Sequence, residues 1–230
     1  MTKSLFVTAT GTDIGKTYIS ALIVKKMIDY GFNCGYFKPV LSGAMINYSG
    51  KIIPGDCKYV IDFANLNIEP EKCLSYCFNE AVSPHLAAKL SKTIIEQTKI
   101  INDYEKFKHK YDYIVIEGAG GIACPLHNTL NGVYSIADLI KDMSQDVLII
   151  SDSGLGAINS TVTTVEYIKA RGIIIKGIIL NNFDKNNSLH CDNLYMIEKM
   201  TDCKIVAAIE KNRNDIDINK DLLISLFKEA

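Results

Sequence analysis

The strongest chemical signal in the sequence is the run Ala9-Thr10-Gly11-Thr12-Asp13-Ile14-Gly15-Lys16-Thr17. It joins a short apolar segment to a helix-like stretch, which is the context of a phosphate-binding loop. In such a loop the backbone amides hold phosphate oxygens, Lys16 reaches the β- and γ-phosphates, and Thr17 ligates Mg²⁺. The usual pattern has a glycine where this chain has Thr10, so the loop is a variant. The alternative is a simple turn, in which Lys16 lies unfavourably at the positive end of a helix.

A second lysine follows the next apolar run, in Gly35-Tyr36-Phe37-Lys38-Pro39-Val40-Leu41-Ser42-Gly43. Pro39 keeps Lys38 extended, at the carboxyl end of a predicted strand. An ammonium group there can neutralise a γ-phosphate or a carboxylated substrate, and Ser42 adds a hydroxyl. Taken alone, the motif is more simply interpreted as a surface lysine. A functional role for Lys38 is indicated only because the phosphate loop is predicted nearby.

Glu117 lies at the tip of a third apolar run and precedes Gly118-Ala119-Gly120-Gly121. Glycines at that point allow a ligand to approach the backbone closely. An acid in this position resembles the magnesium ligand of the Walker B type. Asp56 is a candidate second ligand, and its position before a helix-like stretch is equally typical of a helix N-cap.

Two later loops follow buried runs. The segment Gly154-Leu155-Gly156-Ala157-Ile158-Asn159 opens a helix, and its free amides can hold a substrate carboxylate; an ordinary strand-to-helix loop is the alternative. Asn181 ends another run, and its amide can pair with adenine. Asn182 stands where a guanine site would have lysine, which weakens a GTPase interpretation. A plain loop asparagine is the alternative for Asn181.

The elements that position these residues are buried strands alternating with helices. The apolar runs are continuous rather than alternating, as in strands covered by helices on both faces. We therefore predict an α/β protein with a mostly parallel central sheet. The best helix covers residues 16–30, with an apolar stripe at three-to-four spacing and Gly31 as its stop. The predicted strands are residues 4–9, 35–40, 111–116, 147–151, 173–181 and 205–209.

Composition narrows the function classes. The 230 residues are 48% hydrophobic and 22% charged, as in an ordinary globular protein, and we expect a single domain over residues 1–230. A net charge of -1 produces no strong positive potential that would attract nucleic acid or anionic lipid, so we do not expect these as partners. The first apolar segment is too short for a signal peptide or membrane span, so we expect a cytoplasmic protein. Seven cysteines without a CxxC pair indicate reduced thiols.

Taken together, the phosphate loop, Lys-Pro-Val-x-Ser-Gly, Ser83-Pro84-His85, the Glu117 motif and the segment 154–159 resemble the dethiobiotin synthetase family. The resemblance covers residues 5–181. It implies a three-layer P-loop NTPase-like fold and a homodimer. It also implies a Mg²⁺-dependent enzyme of biotin synthesis, which converts 7,8-diaminononanoate, CO₂ and ATP to dethiobiotin through a carbamate and a carbamic-phosphoric anhydride.

The resemblance also implies roles for residues. The catalytic residues are Lys38, Lys16 and Thr12. The metal ligands are Thr17, Asp56 and Glu117. The residues around ATP and Mg²⁺ are Asp13, Ile14, Gly15, Lys16, Thr17, Tyr18, Asp56, Glu117, Gly118, Ala119, Gly120 and Asn181. The residues around the diamine substrate are Thr12, Lys38, Ser42, Gly121, Gly154, Leu155, Gly156, Ala157, Ile158 and Asn159, of which the last six grip the substrate tail across the dimer interface.

The chain departs from the family pattern at Ala9, where a glycine is common, and at Glu210-Lys211-Asn212, where a proline-led nucleotide contact is frequent.

Two other functions share parts of these motifs. An amide-forming ligase of a corrinoid acid usually carries a further glutamine-hydrolysing domain, for which 230 residues leave no room. A partition-type ATPase has an additional lysine early in the loop, where this chain has Ala9-Thr10-Gly11.

Overall fold

The computed structural model describes residues 2–48, 50, 52–129 and 132–229. The helices within these ranges are α1 (Lys16–Asp29), α2 (Gly55–Ala64), α3 (Pro84–Leu90), α4 (Gln97–Lys108), α5 (Ile136–Asp142), α6 (Ala157–Ala170), α7 (Ser188–Thr201) and α8 (Lys220–Ser225), with a 3₁₀ turn at Pro70–Cys73. The strands are β1 (Lys3–Ala9), β2 (Cys34–Leu41), β3 (Met45–Ile46), β4 (Ile52–Ile53), β5 (Leu74–Cys77), β6 (Tyr113–Glu117), β7 (Pro125–Thr129), β8 (Gly132–Ser135), β9 (Val147–Asp152), β10 (Ile175–Asn181), β11 (Ile205–Ala208) and β12 (Lys228–Glu229). Among the helices described, none is long and apolar enough to cross a bilayer.

The main sheet has the strand order β11-β10-β9-β1-β6-β2-β5. Every neighbouring pair in this order is parallel, and the short strand β12 pairs antiparallel with the start of β1. Consecutive residues Leu5, Phe6 and Val7 are fully buried, which shows that both faces of β1 are covered. The mostly parallel, helix-flanked sheet predicted from the apolar runs is confirmed.

All six predicted strands form, with small differences at their ends. The run predicted at 111–116 begins as a strand at Tyr113, and the run predicted at 173–181 begins at Ile175. The predicted helix 16–30 is α1, which ends one residue earlier. Strand β5 and the two hairpins β3-β4 and β7-β8 were not predicted.

The alternative interpretation of Asp56 as a helix N-cap is wrong. Pro54, not Asp56, is the N-cap of α2, and Asp56 lies within the first turn. This frees the Asp56 carboxylate for contacts outside its own helix. Ser83 does occupy the N-cap position of α3, but its side chain makes no capping hydrogen bond. Pro84 at the first helical position fixes the backbone there instead.

Parallel strands bring their carboxyl ends to one edge of the sheet, and the register sets which residues meet there. In the β2-β6 pair, Phe37 lies opposite Ile116. The residues that follow them, Lys38 and Glu117, are therefore neighbours on adjacent strands. The loop between Ala9 and α1 leaves the same edge, since β1 also pairs with β6.

Ile149→Ala should lower the free energy of unfolding by about 2–5 kcal/mol, because removal of a core side chain leaves a cavity. Ile149 lies in the centre of β9 and is fully buried. Chemical denaturation followed by circular dichroism measures the change. Ile94→Ala is the matched control, since Ile94 is 72% exposed and its loss should change stability by no more than about 0.5 kcal/mol. Equal losses for the two variants would contradict this placement of the core.

Candidate functional site

A cleft of about 350 Å³ lies at the carboxyl edge of the sheet. It brings together half of the predicted site residues, and it also includes Val40 and Leu41, which were not predicted. Its predicted members are Thr12, Asp13, Gly15, Lys16, Thr17, Lys38, Ser42, Asp56, Glu117, Ala119 and Gly120. Gly121 lines an adjoining cleft of about 450 Å³, which shares Thr12 and Gly120 with the first.

The phosphate loop has the local geometry that anion binding requires. Gly15 caps α1 with a φ of 97°, a left-handed conformation that favours glycine, and the first turn of α1 contains no acidic residue. The Lys16 ammonium donates a hydrogen bond to the Gly11 carbonyl at 2.9 Å. Burial and the nearby Lys38 lower the pKa of Lys16 from its ordinary value. The amide-rich positive end of α1 is thus open to an anion.

A buried ion pair joins strands β2 and β6. The Lys38 ammonium lies 2.6 Å from Glu117 Oε1, and the two side chains are 3% and 0% exposed. Thr17 donates to the same carboxylate oxygen at 2.9 Å, and Tyr36 donates to Glu117 Oε2 at 2.8 Å. Both oxygens of Glu117 are therefore held by hydrogen-bond donors.

Asp56 completes the charge balance around Lys38. Its carboxylate lies 2.7 Å from the Lys38 ammonium and is 34% exposed. Burial lowers the pKa of Lys38, but the Glu117 and Asp56 carboxylates outweigh burial and raise that pKa above its ordinary value. Lys38 therefore remains charged, and its ammonium is fixed between two carboxylates at the wall of the cleft.

The donor set in the cleft fits a magnesium ion. Thr17 and Glu117 are hydrogen-bonded to each other, and Lys38 links Glu117 to Asp56. These three candidate ligands offer a hydroxyl and two carboxylates, all of them hard oxygen donors. Mg²⁺ in nucleotide sites is commonly held by one or two carboxylates together with phosphate oxygens and water.

Asn181 lies beside the phosphate loop rather than in the cleft. Its side-chain amide donates to the Ile14 carbonyl at 2.9 Å, and a Cβ at Gly15 would lie 2.2 Å from the same nitrogen. Within the described chain, its buried Oδ1 has no hydrogen-bond partner. One of the two amide hydrogens is thus used in holding the loop, and the Oδ1 acceptor is available for the exocyclic amine of a base.

The segment 154–159 lies outside both clefts, at the start of α6. Leu155 is 94% exposed, and Gly156 caps α6 with a φ of 90°. Asn193 donates from its amide to the carbonyls of Ser153 and Gly154, each at 2.8 Å. The segment is therefore anchored at its start, and neither cleft includes it.

Tyr18 is also absent from the cleft. Its hydroxyl donates to the Arg213 carbonyl at 2.6 Å, which ties α1 to the segment after β11. Ile14 and Gly118 do not line either cleft. Their backbone carbonyls accept hydrogen bonds near the site: that of Ile14 from Asn181, and that of Gly118 from Lys38 at 3.3 Å.

Sequence reasoning missed two buried residues that support the site. Tyr36 bonds to Glu117, and Asn193 holds the segment 154–159. The position of Tyr36, two residues before Lys38 on one strand, signals a shared face. Asn193 has no comparable signal, because it lies in α7, far along the chain from its partners.

Comparisons with known proteins identify relatives of this chain. A family model described as "AAA domain" matches residues 3–216. An ATP-dependent dethiobiotin synthetase of Clostridium botulinum strain Alaska E43 is 48% identical over 218 residues, which cover 95% of each chain. The protein of the same name from C. botulinum strain 657 is 42% identical over 229 residues and the full length of both chains.

Solved structures share the fold at low sequence identity. The MinC:MinD cell division complex of Aquifex aeolicus contains a chain that is 11% identical, with a TM-score of 0.56 and coverage of 97% of this chain and 94% of that one. A ParA family ATPase from Chlorobium tepidum is 15% identical, with a TM-score of 0.56 and coverage of 98% and 89%. These similarities establish a P-loop NTPase fold and nothing finer.

Asn181→Ala should weaken ATP binding by about tenfold or more, because it removes a buried hydrogen bond to the loop as well as the free acceptor. Calorimetry with ATP and with tripolyphosphate measures the two contributions separately, since tripolyphosphate has no base. We expect the smaller loss for tripolyphosphate. Asn182→Gly is the control, because Asn182 bonds to Asp152 and not to the loop. Equal losses for both ligands would show that Asn181 acts through the loop alone.

Proposed function

This chain belongs to the ATP-dependent dethiobiotin synthetase family, and we propose that its cleft joins CO₂ to 7,8-diaminononanoate with conversion of ATP to ADP and phosphate. Two ammonium groups in one cleft, those of Lys16 and Lys38, are the main support for this reaction. A triphosphate and a carbamate repel each other strongly in a site of low dielectric. Positive groups fixed at their meeting point lower that barrier.

The reaction has three bond-forming steps. One amine of the substrate attacks CO₂ and loses a proton, which gives a carbamate. A carbamate oxygen attacks the γ-phosphorus, and ADP leaves as the carbamic-phosphoric anhydride forms. The second amine then attacks the carbamoyl carbon, phosphate leaves, and a cyclic urea results. Each step requires correct positioning more than covalent participation by the protein.

The places of the residues in the cleft support the roles that we propose for them. Lys16 binds the β- and γ-phosphates from the loop, and Lys38 binds the carbamate and the γ-phosphate from β2. Thr17, Glu117 and Asp56 are the residues that would hold Mg²⁺. When bound, the ion neutralises phosphate charge and orients the γ-phosphate. Thr12 lines both clefts, Ser42 lines the first and Gly121 lines the second, and these three residues would contact the diamine end of the substrate.

The tail of the substrate ends in a carboxylate, and the amides at the start of α6 suit a carboxylate. The segment 154–159 lies outside the cleft of its own subunit, so we propose that it serves the cleft of a second copy in a homodimer. Leu155 is 94% exposed and is well placed for contact with another subunit. Each active site would then combine a nucleotide loop from one subunit with a tail-binding segment from the other.

A direct assay tests the reaction. The protein is incubated with ATP, Mg²⁺, bicarbonate and 7,8-diaminononanoate, and mass spectrometry follows the cyclic urea while a coupled assay follows ADP. The two products should form in equal amounts. Omission of the diamine should stop ADP formation, and continued ADP release without it would indicate an ATPase instead.

Lys38→Gln should reduce turnover by at least about 100-fold, because it removes the positive charge at the point where carbamate and γ-phosphate meet. ATP binding should remain measurable by calorimetry, since Lys16 and the loop are unchanged. Lys58→Gln is the control; Lys58 forms an exposed ion pair with Asp62 and does not line the cleft. Near-normal turnover by Lys38→Gln would remove Lys38 from the mechanism.

Mixed dimers test the shared active site. Leu155→Asp places a negative charge in the proposed carboxylate site, and the exposed position should tolerate it without loss of stability. We expect Leu155→Asp and Lys38→Gln to be inactive alone. Refolded together, they should recover about a quarter of the wild-type rate, because half the dimers are mixed and each has one intact site.

Leu155→Asn makes the position polar without adding a charge and should retain most of the activity. Complementation requires that the two residues serve the same site from different subunits. An inactive mixture of the two variants that elutes as a dimer would show that the segment acts within its own subunit.

A further inference from the structure

The Tyr36 hydroxyl is the one feature of the ion-pair cluster that the reaction described above does not use. Tyr36 is 1% exposed, and it does not line the cleft. A buried phenol needs a hydrogen-bond partner, and this one donates to Glu117 Oε2 at 2.8 Å. We propose that Tyr36 is a positioning residue that orients the Glu117 carboxylate toward the metal-nucleotide complex. This inference rests on the proposed function of Glu117 as a magnesium ligand.

The two oxygens of Glu117 have different partners. Oε1 accepts from Thr17 at 2.9 Å and from Lys38 at 2.6 Å, and both donors line the cleft. Oε2 accepts from Tyr36 alone among the described hydrogen bonds. The torsion of a carboxylate about its last carbon-carbon bond is broad, so the group rotates easily unless both oxygens are held. Tyr36 supplies the second restraint, and Oε1 consequently remains directed at the cleft.

The strand geometry explains why Tyr36 reaches this position. Residues two apart on a strand share a face, so Tyr36 and Lys38 point to the same side of β2. Tyr36 lies opposite Val115, and Glu117 is two residues further along β6 on that same face. A phenol is long enough to reach the next same-face residue of the neighbouring strand. The two donors therefore reach Glu117 from alternate positions of one strand.

Outer partners of metal ligands commonly change metal affinity by 10–100-fold when they are removed. Tyr36→Phe keeps the ring and deletes only the hydroxyl. We expect it to bind β,γ-methylene-ATP in EDTA as tightly as the wild-type protein does. The gain in affinity on addition of Mg²⁺ should fall by about 10-fold or more, and the KM for the diamine should not change. Calorimetry with and without Mg²⁺ measures these affinities independently of any turnover.

Tyr104→Phe is the matched control. Tyr104 is 3% exposed and packs against Phe37 from α4, with ring centroids 5.6 Å apart, and its hydroxyl does not contact Glu117. This variant should keep the full Mg²⁺-dependent gain. The inference is overturned if Tyr36→Phe keeps that gain as well, since Tyr36 would then serve only packing. Because the binding assay needs no diamine, failure of the synthetase reaction would leave this result interpretable.

A second measurement keeps the native hydroxyl and avoids any loss of folding. Site-specific 3-fluorotyrosine at position 36 reports on the hydrogen bond through its ¹⁹F resonance. Addition of Mg²⁺ with β,γ-methylene-ATP should shift this resonance, and addition of the analogue in EDTA should shift it less. Identical spectra with and without Mg²⁺ would show that the phenol does not sense the metal-ligand carboxylate, and would overturn the inference.

Discussion

The buried contact between Lys38 and Glu117 is the interaction on which the site depends. Removal of two charges from water has a high free-energy cost, and such a pair is stable only where further hydrogen bonds satisfy both groups. Here Thr17, Tyr36 and Asp56 supply them. Loss of one member of such a pair typically costs about 3–5 kcal/mol, because the other charge is left buried alone. The same groups therefore stabilise the junction of β2, β6 and α1 and provide the charges that face the cleft.

The central fold was predictable from the sequence because its strands are covered on both faces. Continuous apolar runs such as those in β6 and β9 leave little alternative to a parallel sheet flanked by helices. The missed strands lack this signature. Strand β5 is short and only partly buried, and β12 consists of Lys228 and Glu229, which pair with β1 through the backbone. Backbone pairing of this kind depends on the tertiary fold, which places the end of the chain beside β1. The local amino-acid composition does not predict it.

The candidate site was predictable to the extent that motifs follow strands. Lys16, Lys38 and Glu117 come from different strand ends, and the parallel sheet brings them to one cleft. The partners of these residues were harder to foresee. Asn181 was expected to pair with adenine through its amide, but one of its N–H donors holds the Ile14 carbonyl. The exact positions of the loops decide which nearby carbonyl accepts a hydrogen bond from the amide. The spacing of residues in the sequence does not specify those positions.

Because side chains alternate between the two faces of β2, insertions and deletions within this strand are not compatible with the site. Tyr36 and Lys38 reach Glu117 together because exactly one residue separates them. A codon inserted or deleted between Tyr36 and Lys38 would place them on opposite faces of the strand and break the cluster. Beyond Ser42 the backbone leaves the sheet and runs through an exposed hairpin. Additions and deletions are therefore tolerable after the strand, whereas within it only substitutions are compatible with an intact site.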